Sequence, residues 1–143
     1  MPQLLETHRD QFVISTDPAR LDINAIAEML SRAYWAKGRT PEVIARYLQH
    51  SLAFGLYYGE RQIGLARIIS DYTTFAYLCD VIIHEEYRGR GLSKWLMETV
   101  HSHPDLQGLR RWALITSDAH GLYQQFGWSM LANPERWMEK FIG

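Results

Sequence analysis

With a single cysteine, Cys79, in 143 residues, the chain has no partner for an intrachain disulfide and fits a reducing compartment. An excess of charge of either sign is also missing. Lys and Arg number 15 and Asp and Glu 16, a net charge of -1, so no general field draws the chain to nucleic acid or to an anionic membrane. No apolar run approaches the roughly 18 residues that a membrane span needs. The opening Met1-Pro2-Gln3-Leu4-Leu5-Glu6 is too short and too acidic to read as a secretory leader, so a soluble cytoplasmic protein is expected. Repeats, low-complexity tracts and Pro/Gly/Ser-rich linkers are absent, which leaves residues 1–143 as one domain, long enough to bury a core. Metal-ligand spacing is lacking too: His101 and His103 stand close together, but no thiolate or carboxylate array accompanies them.

What is present is a change of period along the chain. Phe12-Val13-Ile14-Ser15 reads as a first strand, closed by Asp17-Pro18. Ile23, Ile26, Ala27, Leu30 and Tyr34 then recur at helical spacing behind Asp22, a suitable N-cap. Gly38 ends that helix. Thr40-Pro41 starts a second, which carries Val43, Ile44, Tyr47 and Leu48 on its apolar side. Residues 53–58 and 62–70 alternate as a hairpin around Gly59-Glu60-Arg61, and 75–83 continue as a third run. After Gly91 the spacing is helical again, through Leu92, Trp95, Leu96, Thr99 and Val100. A strand over 112–116, a short helix over 118–125 and a closing hairpin from 128–130 and 137–141 complete the pattern. Strands before and after buried helices predict an α/β or α+β domain, a mixed sheet covered by helices.

The most informative segment runs from Val81 to Lys94. A buried strand enters a turn, Arg88-Gly89-Arg90-Gly91, that opens directly into the amphipathic helix beginning Leu92-Ser93-Lys94. The first amides of a helix lack internal partners, and the helix dipole places partial positive charge there. Glycine at 89 and 91 removes the side chains that would keep a phosphate away, and Arg88, Arg90 and Lys94 add full charge. The segment reads as a pyrophosphate seat, against the plainer alternative of a tight strand-to-helix turn. Two other nucleotide sites fail on spacing. The dinucleotide fingerprint needs glycine where Lys94 stands, and the Walker sequence is absent.

Arg88-x-x-Gly91-x-Ser93 resembles the Q/R-x-x-G-x-G/A signature of the GNAT family of N-acetyltransferases, with Ser93 as the small last residue. About 35 residues on, Ala119-x-x-Leu122-Tyr123-x-x-x-Gly127-Trp128 is similar to the same family's A-x-x-L-Y-x-x-x-G-F segment. The resemblance implies a single-domain GNAT-like fold: a mixed, mostly antiparallel sheet, flanked by helices and splayed between its fourth and fifth strands. It implies acetyl-CoA as cofactor, with the coenzyme A pyrophosphate on Arg88, Gly89, Arg90, Gly91, Leu92, Ser93 and Lys94. The pantetheine would pair with the backbone of Val81, Ile82 and Ile83. Thr116 occupies a place where family members often carry asparagine, and would be a further cofactor contact. Tyr123 resembles the tyrosine that contacts the cofactor and serves as general acid, protonating the departing thiolate after direct attack by an amine.

An amine nucleophile must also lose a proton. Asp80 is the first candidate base, because it interrupts an apolar run and a buried carboxylate is costly without purpose or partner. The structural alternative is a carboxylate satisfied by local hydrogen bonds. His84 and His120 stand behind it. Cys79 reads as a small buried thiol, since no activating pattern singles it out. Tyr34, Trp35, Tyr72 and Tyr77 are candidates to line the acceptor pocket, against the usual role of aromatics in a core. The expected partner is a small-molecule or peptide amine, with a homodimer left open. A non-catalytic CoA-binding sensor is the competing function, and binding to nucleic acid is disfavoured by charge.

Overall fold

Alternation over residues 52–83 produces the centre of a six-stranded sheet in the computed structural model, which describes residues 2–143. The strands are β1 (Glu6–Arg9), β2 (Phe12–Ser15), β3 (Leu52–Tyr58), β4 (Arg61–Ser70), β5 (Phe75–Ile83) and β6 (Arg111–Leu114). They lie in chain order across the sheet, and every pair is antiparallel except β5–β6, which is parallel. The helices are α1 (Ile23–Ser31), α2 (Pro41–Leu48), α3 (Leu92–Ser102) and α4 (His120–Gln124).

Both faces of the sheet are covered. On one, Ile26, Met29 and Leu30 of α1 and Ile44 and Leu48 of α2 pack on Ala53, Leu65 and Ile82. On the other, Leu92, Trp95, Leu96 and Val100 of α3 pack on Phe54, Leu56, Ile63 and Leu78. This explains why β3 and β4 are buried almost continuously. Each fully buried aliphatic side chain contributes roughly 1.5–3 kcal/mol of transfer free energy. The expected caps are made: Asp22 accepts from the Ala25 amide at 3.0 Å and Thr40 from the Val43 amide at 3.2 Å.

Two parts of the expected pattern change. β1 is an additional strand, hidden from sequence reading because it lies on the sheet edge and is mostly exposed, so Glu6-Thr7-His8-Arg9 shows no apolar alternation. The closing hairpin over 128–130 and 137–141 does not form. Pro134 offers no amide to a ladder and starts a single 3-10 turn, and the tail stays exposed, with Met138 96% accessible.

Two departures from regular pairing set up the site. The predicted splay between the fourth and fifth strands falls between β5 and β6, one number later because β1 precedes them. β5 pairs with β4 from Ala76 to Ile83 but with β6 only from Phe75 to Leu78, so beyond Leu78 its other edge is free. Ile115 and Thr116 leave the predicted strand because the Thr116 hydroxyl accepts from the Ala119 amide at 3.1 Å, turning the chain into α4. The second departure is a bulge. Ala66 pairs with Val81 and Ile68 with Leu78, so Cys79 and Asp80 together oppose Arg67. The extra residue reverses the parity of β5: Leu78 belongs to the α3 side, whereas beyond the bulge Ile83 does and Ile82 turns to α1 and α2.

Candidate active site

The strand-to-helix turn has the backbone that its glycines suggested. Gly89 and Gly91 have φ of 78° and 75°, a left-handed conformation that costs other residues about 1 kcal/mol or more. A Cβ at either position would meet nothing within 4 Å, so the space above the turn is open. α3 is also the exception among the three longer helices. Asp22 and Thr40 cap α1 and α2, but Gly91 gives α3 no side-chain cap. Its first amides therefore face that open space with the dipole's positive end. Arg90 and Lys94 are exposed around it, whereas Arg88 is partly committed, its Nε donating to the Ile83 carbonyl at 2.9 Å. Leu92 is buried, leaving its backbone alone to contact a ligand.

This arrangement fits a pyrophosphate, and the free edge of β5 next to it fits an extended chain of amides seeking backbone partners. The coenzyme A moiety of acetyl-CoA has both parts. Gly91→Asp adds a carboxylate and a competing cap at this point. We expect it to raise the KM for acetyl-CoA about ten-fold, given the Coulomb cost of a like charge a few ångströms away in a partly aqueous site. Steady-state kinetics with acetyl-CoA varied would check this, and an unchanged KM would remove the turn from the binding site.

Where β5 and β6 part lies a cleft of about 500 Å³. It brings together Asp80, Val81, Thr116 and Tyr123 with three of the expected aromatic residues, Tyr34, Trp35 and Tyr77. Tyr72 does not join them. It occupies the turn after β4 with φ of 62° and lines a separate groove beside Leu4, Thr16 and His50, so the structure places it outside this cleft. The side chains of Ile82 and Ile83 lie in the core, leaving only their backbone for a ligand. His84 is engaged at the turn, accepting from the Glu86 amide at 3.1 Å, and does not line the cleft. His120 lines the space behind β6 instead.

Tyr123 is 8% exposed and lines the cleft, and among the described residues its hydroxyl has no hydrogen-bond partner. Burial first, and then the Asp118 carboxylate, push its pKa above the ordinary tyrosine value. It remains a proton donor throughout the neutral range. The Cys79 thiol is likewise pushed up, chiefly by burial, which opposes a thiolate nucleophile.

Asp80 is 3% exposed and fully partnered. Its Oδ1 accepts from Arg39 Nη1 at 2.8 Å and its Oδ2 from Arg67 Nε at 2.7 Å. Arg67 lies over the Tyr47 ring, 4.0 Å from its centroid, and Arg39 Nη1 also donates to the Tyr47 hydroxyl at 3.0 Å. The alternative of a locally satisfied carboxylate is the one this geometry favours, because each oxygen already accepts from a guanidinium. Sequence reading missed both arginines. A signal was present for Arg67, which interrupts an apolar β4 just as Asp80 interrupts β5. Above the cleft, the Tyr34 hydroxyl hydrogen-bonds to that of Ser117, joining the loop after α1 to the loop after β6.

Among the described residues no group of three or more His, Cys, Asp or Glu side chains is placed to hold a metal, and no helix is long and apolar enough to cross a membrane. Comparison with known proteins agrees with the geometry. The model of the acetyltransferase (GNAT) family matches residues 21–128. A Gibberella zeae protein classed as an acetyltransferase is 33% identical over 138 residues, covering 80% of this chain and 77% of that one. The crystal structure of a Xanthomonas campestris protein classed in the GNAT family superposes with a TM-score of 0.88 at 49% identity, over 92% of this chain and 93% of that one. A GNAT family acetyltransferase from Elizabethkingia anophelis, solved with acetyl-CoA bound, shares the fold with a TM-score of 0.66 at 17% identity, over 94% of this chain and 90% of that one.

Proposed function

The chain belongs to the GNAT family of acetyltransferases, and on that premise we propose that it transfers acetyl from acetyl-CoA to a primary amine by direct attack, with Tyr123 as general acid. The observation that carries the mechanism is the Tyr123 hydroxyl, without a protein partner, in the cleft beside the free edge of β5. Acetyl-CoA supplies an activated thioester carbonyl and a thiolate leaving group.

The remaining work is done by the chain. The uncapped start of α3, with Arg90 and Lys94, anchors the phosphates, and the backbone of Val81 to Ile83 aligns the pantetheine arm. Thr116 borders the same cleft as a further contact. An amide on the open edge of β5 stabilises the negative charge that develops on the carbonyl oxygen. As the nitrogen–carbon bond forms and the carbon–sulfur bond breaks, Tyr123 donates its proton to sulfur. With both Asp80 oxygens held by guanidinium groups, the proton of the acceptor ammonium leaves through water in the open cleft.

The test is amine-dependent release of free thiol from acetyl-CoA, with the acetylated amine identified by mass spectrometry. Absence of such release across amino acids, polyamines, amino sugars and peptides would refute the proposed activity. A Cys79→Ala protein is expected to keep most of its turnover and never to carry an acetyl adduct. An adduct on the wild type that vanishes in this variant would replace direct attack with a covalent route.

A further inference from the structure

Charge in the cleft is unevenly placed. At one end Arg39 and Arg67 share a single carboxylate, Asp80, so the trio carries a net positive charge. One guanidinium is enough to neutralise that carboxylate. The second is an excess charge on side chains only 28% and 11% exposed, where an uncompensated ion is costly. Donors are also left over. Arg39 uses Nη1 for Asp80 and Tyr47, and Arg67 uses Nε and Nη1 for Asp80 and Ser51. Arg39 Nε and Nη2 and Arg67 Nη2 have no partner among the described residues, and both side chains line the cleft.

The other end has the opposite character. Asp118, in the loop between β6 and α4, borders the same cleft beside Tyr123 and forms no ion pair among the described residues. Trp35, whose ring centroid lies 5.6 Å from the Arg39 guanidinium carbon, and Tyr77 line the same cleft, flat walls suited to a carbon skeleton rather than to a solvated chain. A cleft that carries a cationic trio with aromatic walls beside it, and a separate carboxylate near Tyr123, complements a molecule with an anionic group and an ammonium.

We propose that the acceptor is a small amine that also carries an anionic group, a carboxylate or a phosphate, which Arg39 and Arg67 hold while its ammonium lies toward Asp118 and Tyr123. The inference rests on the acetyltransferase reading above. It disfavours polyamines and aminoglycosides, whose additional ammonium groups would meet the guanidinium end.

Thiol release from acetyl-CoA would be followed with matched pairs: L-phenylalanine against 2-phenylethylamine, and phosphoethanolamine against ethanolamine, with spermidine as the polycation. The anionic member of at least one pair is expected to have the higher kcat/KM by about ten-fold or more, the worth of a charge-assisted hydrogen bond. Which pair separates tells carboxylate from phosphate. Arg39→Gln is expected to lower that ratio about ten-fold through KM, while acetyl-CoA affinity by tryptophan fluorescence is retained. Asp118→Asn, outside the buried trio, raises the KM for the same acceptor and serves if the first variant folds poorly. The proposal is overturned if the neutral amines or spermidine are used as well as the anionic ones, if Arg39→Gln lowers both members of a pair equally, or if no anionic amine is used by a protein that binds acetyl-CoA. Failure to bind or turn over acetyl-CoA at all would instead sink the acetyltransferase reading.

Discussion

An Asp80→Asn protein is expected to lose about 3 kcal/mol of folding stability, the usual cost of removing one member of a buried ionic cluster. Asparagine preserves the volume, so no cavity forms. Its single side-chain carbonyl can satisfy Arg39 or Arg67 but not both, and its amide then points donors at the other guanidinium. Arg67 is the worse placed of the two, being nearly buried and held over Tyr47. The measurement is urea unfolding, in which the midpoint falls with little change in slope. The outcome also separates the two roles of Asp80. A stable Asp80→Asn protein whose kcat collapses would restore the carboxylate as general base.

Tyr123→Phe is expected to lower kcat by about 100-fold, the lower end of what a positioned general acid contributes, while the KM for acetyl-CoA changes little. The phenyl ring keeps the contact with Trp128, whose ring centroid lies 5.9 Å away, so the fold should be unaffected. The pH dependence follows from the direction of the tyrosine shift. Burial, and then Asp118, raise the pKa above 10, which favours the protonated form, and this form is the acid. Activity therefore rises with pH as the acceptor amine deprotonates, and no falling limb from Tyr123 appears below pH 10. An unchanged kcat in Tyr123→Phe would sink the assignment of the acid. A retained affinity with no turnover in the wild type would favour a CoA sensor.

The elements that sequence reading recovered are those whose signals are local. Asp22, Thr40-Pro41 and the glycines at 89 and 91 act within one turn of their own position, and the structure gives each the expected geometry. The apolar character of β3 to β5 follows from a sheet covered on both faces. What escaped was non-local. The β5 bulge depends on how β4 and β5 register, and alternation alone would put Leu78, Asp80 and Ile82 on one face. Arg39 lies 41 residues from Asp80, in a loop where an arginine carries no sign of burial. Tyr72 was included with the acceptor aromatics because aromatic content does not say which end of a sheet a ring occupies. The closing hairpin expected from 128–130 and 137–141 is absent, and Pro134 stands between the two segments.

The four-residue parallel join between β5 and β6 also bears on how the molecule assembles. β3, β4 and β5 are linked by tight turns, and their pairings close short loops. β6 reaches β5 only after the chain has crossed the sheet through α3, so its pairing is the costliest in loop entropy within that half of the sheet. α3, which packs on the sheet, lies between the two strands in the chain, so β6 is expected to settle beside Phe75 to Leu78 after α3 has docked. The cleft is bounded by that join, and it comes into existence with the final strand, after the hydrophobic layers are in place. A molecule in which β6 has come away retains its two packed layers and has lost its active site. Opening at this seam is expected to be a lower step than global unfolding, and in the proposed binding mode acetyl-CoA would hold it closed.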